Sequence, residues 1–541
     1  MRIESGRGEP ANMSYSPKRL ATVASALAIL VAACGSSAAT TAPASQATAT
    51  SSPSSVPASA ASPSAAASSS AAASSAAQNF SGVTINVVTF TGPPIAEPLQ
   101  RHAKEWEAKT GGTVNITTAP FSDLFQKETT DLATGTNAFT VYTMSSSWLG
   151  SFAGQGYFED ISSLAPTYPG LQWSDIMPVM QTNSSYGGKI YGIPFDSDVL
   201  SVYYRADILA KDNVAPPKTW DEYLKVAAMY QGKDLNGDGV PDYGSCIEKA
   251  KGGVGTWQFN GVLSGFIQTM GTKQGVFFGP NMTPLINNDA MGAALDFWKA
   301  SSQYGPPSEI NLDQGTGRGL MTSGRCALNI DWGDMGTLPL DPSTSKVLNK
   351  VESVVMPGST SVLDQASGKL VPCTATLCPN AVDGVNHSPF NAFGGWIGAI
   401  NAKADPKQQA AALDYLAYVS APEQTNVDVT QGTSGEQPFR TSQQDPALWL
   451  KAGMTPEVAK NFLDTYLGSL KDPNASLDMR IPQAAQYTNT IEDQAIAQFL
   501  AGELTKEQAM KQISDGWQQL TDQIGRDAQA AAYTASLGGN P

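Results

Sequence analysis

Val83-Thr84-Ile85-Asn86-Val87-Val88-Thr89, residues 96–109, Gly111-Gly112 and Val114-Asn115-Ile116-Thr117 together decide the fold class. The first run is rich in β-branched residues with apolar side chains at alternate positions, which reads as a strand. Within 96–109, Leu99, Ala103 and Trp106 fall on one face at helical spacing. The glycine pair stops that helix, residues 114–117 read as a second strand, and 123–133 as a second helix. Strand–helix–strand alternation predicts an α/β domain with a mostly parallel sheet and helices on its faces. Beyond Asp405 the pattern turns helical, over 406–419, 457–467, 488–500 and 506–524. Pro406 after Asp405 is a helix start, and Thr505 with Gln508 has the spacing of a capping box.

Upstream of this folded part the chain has a different character. Lys18-Arg19, an apolar run over 20–33 and then Leu30-Val31-Ala32-Ala33-Cys34-Gly35 give the order basic, apolar, small, cysteine. That order is a secretory signal, 1–33, ending at a lipoprotein cleavage site with Cys34 as the acylated residue. The apolar run falls short of the roughly 20 residues that span a bilayer. Both Met1 and Met13 could serve as the start, since residues 1–12 add nothing a signal needs. The segment 34–81 is almost wholly Ala, Ser, Thr and Pro, without periodicity or charge over 36–77, and reads as a flexible tether. Its root-mean-square reach is roughly 35–40 Å by the coil relation.

Composition narrows the function of what remains. A net charge of −15 argues against a nucleic-acid partner, which requires clustered Lys and Arg. Two histidines, His102 and His387, leave little room for imidazole chemistry, and there is no GxSxG, HExxH, P-loop or dinucleotide glycine motif. Setting Cys34 aside, Cys246, Cys326, Cys373 and Cys378 form an even set in an exported chain, which points to disulfides. Three pairings are open. The short Cys373–Cys378 spacing favours a local staple and leaves Cys246 with Cys326.

The central segments carry a recognisable order. Leu149-Gly150-Ser151-Phe152-Ala153-Gly154-Gln155-Gly156-Tyr157-Phe158-Glu159-Asp160 comes first. Gly188-Lys189-Ile190-Tyr191-Gly192-Ile193-Pro194-Phe195-Asp196-Ser197-Asp198 then leads into 199–207, followed by Pro216-Pro217-Lys218-Thr219-Trp220-Asp221-Glu222-Tyr223. Gly394-Gly395-Trp396-Ile397-Gly398-Ala399-Ile400 precedes the Pro406 helix. In this order and spacing the chain resembles the extracellular solute-binding proteins (family 1) of sugar-type ABC importers over 82–526. The resemblance implies a type II periplasmic-binding fold of two α/β lobes with ligand in the cleft. Lobe 1 would hold 82–199 plus 354–422, and lobe 2 would hold 200–353 plus 423–541, with residues 200–204 as a crossing strand. It also implies a monomeric, non-enzymatic, lipid-anchored protein on the outer face of the cell membrane, serving an ABC permease. One departure concerns the aspartate that often precedes the valine of the third strand. Thr140 stands there, so a polar anchor is expected to be missing.

A sugar offers hydroxyls at its edges and C–H groups on its faces, so carboxylates, amides and aromatic rings should hold it. Asp196 and Asp198, two apart, would share one face of an extended segment at the cleft rim. Asp331-Trp332-Gly333-Asp334 combines a ring with two carboxylates, and Gly395-Trp396 places backbone beside a ring. Trp148, Trp257, Tyr204 and Arg440 complete the expected substrate-binding set. Trp106, Trp298 and Trp517 sit on apolar helical faces and read as core, and Trp220 as structural. The rival reading is a secreted glycosidase that uses the same paired carboxylates across a glycosidic bond.

A separate motif, Asp234-Leu235-Asn236-Gly237-Asp238-Gly239-Val240-Pro241-Asp242, matches the start of a calcium loop. Asp234, Asn236, Asp238 and Asp242 would supply side-chain oxygens, and Val240 its carbonyl. The twelfth position is Ser245 rather than a bidentate glutamate, with Glu248 as the substitute if the loop bends differently.

Overall fold

The computed structural model describes residues 78–91 and 93–537. Cys34, the signal and most of the tether lie outside the described residues. Phe80, inside the expected tether 34–81, is buried and stacks on Trp106 with ring centroids 5.5 Å apart.

Two sheets organise the chain. The first runs in the order Thr113–Ala119, Thr84–Phe90, Val141–Ser145, Trp396–Ile400, Gly192–Pro194. Its first three strands are parallel, as the β–α–β rhythm predicts, while Trp396–Ile400 is antiparallel to both its neighbours. In the second sheet the order is Val351–Val355, Ser201–Arg205, Cys326–Asp331, Tyr243–Ser245, and only the last pair is parallel. The expectation of a mostly parallel sheet is therefore corrected to mixed sheets. The cause is topological: Ser201–Arg205 and Trp396–Ile400 enter their sheets from the opposite half, where no local crossover helix dictates a parallel direction.

Helices Pro93–Thr110 and Pro406–Val419 pack beside the first sheet, tied by a 2.7 Å bond from Trp106 Nε1 to Asp414. Helices Trp220–Tyr230, Gly255–Ile267 and Pro456–Lys471 belong with the second. Capping boxes start Trp220–Tyr230 at Thr219, Pro406–Val419 at Asp405 and Lys506–Ile524 at Thr505. Trp106, Trp298, Trp517 and Trp220 are all buried. No helix among the described residues is long and apolar enough to cross a membrane.

The halves divide differently from the expected bounds at two places. The boundary at 353/354 falls inside Val351–Val355, whose five residues all pair with Ser201–Arg205. Residues 423–440, placed with lobe 2, bond back to the first half. Asp428 takes Arg101 at 2.5 Å and His102 at 2.8 Å, and Phe439 accepts from Met177 N at 2.9 Å. Thr140 also differs from expectation, since its Oγ1 accepts from Asn86 N at 3.2 Å and supplies a polar anchor after all.

Cys246 pairs with Cys326 and Cys373 with Cys378, with Cα separations of 6.0 and 5.7 Å. The first bridge joins neighbouring strand ends across 80 residues of sequence, and the second closes a turn five residues apart. Loop entropy assigns about 4–5 kcal/mol to the first and about 2 kcal/mol to the second. Replacing both Cys246 and Cys326 by Ser should lower the melting temperature clearly more than replacing Cys373 and Cys378. Scanning calorimetry of the two double variants checks the order.

Candidate functional site

The site begins where the chain passes between the sheets. After Gly192–Pro194 the segment 195–200 runs through the interior and enters Ser201–Arg205. Most of its polar groups find partners within the protein. Asp196 Oδ1 accepts from Gln437 N at 2.6 Å, and Asp198 accepts from Gln437 Nε2 at 2.6 Å and from Gly395 N at 3.1 Å. Ser197 Oγ donates to Pro438 O at 2.6 Å, and Asn391 Nδ2 donates to the Asp198 carbonyl. Gly395 sits at φ +90°, and a Cβ there would lie 2.4 Å from the Asp196 carbonyl oxygen, so only glycine lets the segments approach.

The second half supplies an ion cluster. Strand Cys326–Asp331 ends in Asp331, and Trp332 and Asp334 follow directly. Arg318, on helix Gln314–Thr322, donates to Asp331 at 2.9 and 2.7 Å and to Asp334 at 2.7 Å. Gly333 N donates to Gln437 Oε1 at 2.7 Å, so Gln437 links this turn to the crossing segment. Burial pushes the Asp334 carboxyl up to about 6 even with Arg318 pulling it down. It also holds Asp196 and Asp198 well above the usual carboxylate range, with the charges of Asp198 on Asp196 and of Asp334 on Asp198 adding to the rise. Burial opposes the Arg318 charge, but Asp331 and Asp334 outweigh it and raise that guanidinium.

Aromatic rings form the other wall. Trp396 stacks on Phe90 at 6.0 Å and tilts against Phe393 at 5.0 Å, while Trp257 meets Phe121 at 5.8 Å and Phe393 at 5.7 Å. Phe393 holds φ +68°, a region costly for a bulky residue. The hydrogen bonds that hold it in place are clear: Asp478 accepts from Phe393 N at 3.0 Å and from Trp257 Nε1 at 2.8 Å. These two walls flank an open cavity of about 210 Å³ between the halves.

Of the residues expected at the site, Asp196, Asp198, Trp257, Trp332, Asp334 and Trp396 line the cavity. Asp331 lies behind Arg318, Gly395 braces the crossing segment, and Trp148 is buried behind Phe121 at 5.7 Å. None of these three is on the cavity wall, and two further expected residues lie away from it as well. Tyr204 is not on the cavity wall; its hydroxyl donates to Glu352 at 2.7 Å across the second sheet. Arg440 is buried and structural, donating to the carbonyls of Leu171 at 2.8 Å and Ser420 at 3.0 Å and pairing with Asp175 at 3.4 Å. Phe90, Phe121, Phe393, Arg318, Gln314 and Gln437 line the cavity without having been singled out in the sequence. Phe90 and Phe121 end and begin ordinary amphipathic elements, and their apolar spacing is that of core residues. Arg318 was findable, because two nearby aspartates in an apolar context require a cation.

The Asp234–Asp242 stretch folds as a tight loop. Asp234 accepts from Gly237 N at 2.7 Å and Gly239 N at 2.9 Å, and Asp238 from Val240 N at 2.9 Å. Asp242 accepts from Leu235 N at 2.8 Å and pairs with Arg325 at 2.7 Å. In this conformation no three acidic, His or Cys side chains converge to hold a metal among the described residues. Glu248 does not reach the loop: it is buried on Gln258 and on Asn329, 3.4 Å away, near Asp331. Ser245 is engaged by Tyr223 at 2.8 Å.

Comparison with known proteins agrees with this architecture. The chain is 28% identical to a mannitol-binding protein of Pseudomonas aeruginosa over 228 residues, 41% of this chain and 49% of that one. With an erythritol/L-threitol-binding protein of Mycolicibacterium smegmatis it shares 25% identity over 181 residues, 30% and 37% of the two chains. It thus spans about half the length, or less, of these curated relatives. Among solved structures, a solute-binding protein of Agrobacterium radiobacter K84 in complex with ribitol superposes with a TM-score of 0.67 at 22% identity, covering 82% of this chain and all of that one. Maltose-bound MalE3 of T. maritima gives a TM-score of 0.64 at 19% identity, over 81% of this chain and 100% of that one. These likenesses establish a two-domain periplasmic-binding fold. The profile of the bacterial extracellular solute-binding proteins matches residues 92–426, more than half of the chain; this protein belongs to that family.

Proposed function

We propose that this protein captures a polyol or small sugar outside the cytoplasm and hands it, chemically unchanged, to the membrane subunits of an ABC importer. One observation carries the reading: a cleft between two halves pairs aromatic rings with carboxylates, amides and a guanidinium. Rings suit the C–H faces of a polyhydroxy compound, and the polar groups suit its hydroxyls. At about 210 Å³ the cavity is below the roughly 300–1,000 Å³ of pockets for drug-sized ligands, which favours a single sugar unit or alditol over a long oligosaccharide. The names of the mannitol- and erythritol/L-threitol-binding relatives support the same class. Ligand favours the closed arrangement only through contacts to both halves, and both halves contribute to this wall.

Around this core reading stand two further proposals. The protein is a monomer tethered to the outer face of the membrane through acylated Cys34, for which the basic–apolar–small–cysteine order is the support. The Asp234–Asp242 loop takes a calcium ion with a structural role, on the strength of its alternating oxygen donors. Any ion there competes with Arg325 for Asp242.

A thermal-shift panel of alditols, monosaccharides and short oligosaccharides tests the ligand class. A cognate polyol at a hundredfold excess over its Kd should add about 2.7 kcal/mol of stability and be recovered intact by mass spectrometry. Trp257→Ala should weaken it tenfold or more, while no shift from any member, or a chemically altered product, rejects the reading. In the native host Cys34→Ser should release the protein from the membrane fraction; retention there rejects acylation at that residue. EGTA should lower the melting temperature and added calcium restore it, whereas an unchanged melting temperature rejects the calcium site.

A further inference from the structure

Charge around the cavity does not balance. Asp196, Asp198 and Asp334 line it, with Asp331 and Glu248 close behind Arg318 and Glu436 close behind Asp196. Among the described residues, Arg318 is the one cation on the wall, and both its hydrogen-bonding edges are taken by Asp331 and Asp334. Lys249, the nearest buried lysine in sequence to Glu248, points elsewhere, to Glu309 at 2.5 Å and to Ser301 and Ser302. Asp196, Asp198 and Glu248 therefore have amides for hydrogen-bond partners. Neither carboxyl oxygen of Glu436 has a hydrogen-bond partner among the described residues. Arg318 acts on Asp198 and Glu248, and Arg101 on Glu436, through charge alone.

Asp196 is the informative member. It is 1% exposed and on the cavity wall, and its Oδ1 accepts from Gln437 N, while its Oδ2 accepts no hydrogen bond among the described residues. A buried carboxylate without a full set of partners is expensive. Burial and the neighbouring carboxylates resist its ionisation while the cavity is empty. A positive charge placed in the cavity removes that cost. A metal ion is a poor candidate, because the acidic groups do not converge on one point. An organic cation fits better, since Trp257, Trp332, Trp396, Phe90, Phe121 and Phe393 surround the same space and aromatic faces attract ammonium groups.

We propose that the ligand of this cavity carries a protonated amine beside its hydroxyl groups, as an amino-sugar or amino-alditol does, with the ammonium against Asp196 and the aromatic wall. This rests on the reading of the cavity as a site for a polyhydroxy compound and narrows it. The amine replaces one hydroxyl of a neutral polyol, donates to the open Asp196 oxygen and favours the ionised form of that carboxyl.

Isothermal titration of the full chain with matched pairs tests this: sorbitol against 1-amino-1-deoxysorbitol, and glucose against glucosamine, at pH 7. In a pair that binds, the amine should bind at least tenfold tighter, and Asp196→Asn should bring the ratio towards one. Should that variant fail to fold, titration of the unaltered chain at low salt and at high salt replaces it; the amine alone should weaken with salt. Equal or weaker binding of the amine, or a preference insensitive to both Asp196→Asn and salt, overturns the inference and leaves the polyol reading standing. If no amine and no neutral polyol binds, the polyol reading itself fails and this inference with it.

Discussion

Between Pro194 and Ser201 the chain leaves one sheet and enters the other through the protein interior, and the position of nearly every site residue follows from how that passage is made possible. Buried backbone must find its hydrogen bonds within the protein. Here Phe195 N donates to Trp396 O, Leu200 N to Phe390 O and Asn391 Nδ2 to the Asp198 carbonyl, while the side chains of Asp196, Ser197 and Asp198 satisfy the backbone of Gln437, Pro438 and Gly395. Gly395 can take part only because it lacks a side chain and tolerates φ +90°. The same contacts aim Asp196 and Asp198 at the cavity, bring Trp396 alongside them and place Gln437 where it can also reach Gly333 of the second half. Three distant segments thus converge on one point for reasons of backbone satisfaction, and the site is the space they leave.

The two walls of that space are stabilised by different physics. On the aromatic side, rings bury apolar area and fix one another in tilted and edge-on contacts, worth about 0.5–1.5 kcal/mol per pair beyond burial. Asp478 serves that wall from behind as an acceptor for Trp257 and Phe393, and burial pushes its own carboxyl up to about 6. On the polar side, Arg318 holds Asp331 and Asp334 in a bidentate-type arrangement that preorganises the turn after Cys326–Asp331. A buried ion cluster adds little net stability over an apolar core of the same shape. Its contribution is a fixed direction for Asp334 and Trp332, which an apolar core would not give.

Much of this was legible in the sequence, and the limits have physical reasons. The parallel start of the first sheet follows from local periodicity in 83–133, because a β–α–β unit is a local object. The antiparallel strands Ser201–Arg205 and Trp396–Ile400 do not, because their direction depends on which half the chain arrives from. Asp196, Asp198, Trp332, Asp334 and Trp396 stood out as polar or aromatic groups among glycines in segments otherwise apolar. Phe90, Phe121 and Phe393 did not, since a phenylalanine on a cavity wall and one in a core have the same sequence signature. Tyr204 was misread for a related reason. Alternation along a strand states that a residue has a side, and only the neighbouring strand, with Glu352 waiting, decides which. Arg440 shows the converse: a cation near the cleft in sequence order is used to hold carbonyls of a loop and a helix end.

Glutamine 437 explains why the two halves act on one another at all. Its backbone N–H is committed to Asp196, its Nε2 to Asp198 and its Oε1 to Gly333 N, so a single side chain spans the crossing segment and the turn bearing Trp332 and Asp334. Opening the cleft must break at least one of these bonds or carry Gln437 along with one half. Each is buried, and a buried amide that loses a partner costs about 1–3 kcal/mol. A ligand that contacts both halves can repay that amount, and one that touches a single half cannot, because it makes no contact that differs between the two arrangements. Under the proposed function selectivity and closure are for this reason the same problem: the carboxyls on the cavity wall, Asp196, Asp198 and Asp334, are bonded to, or adjoin, the groups that hold the halves together.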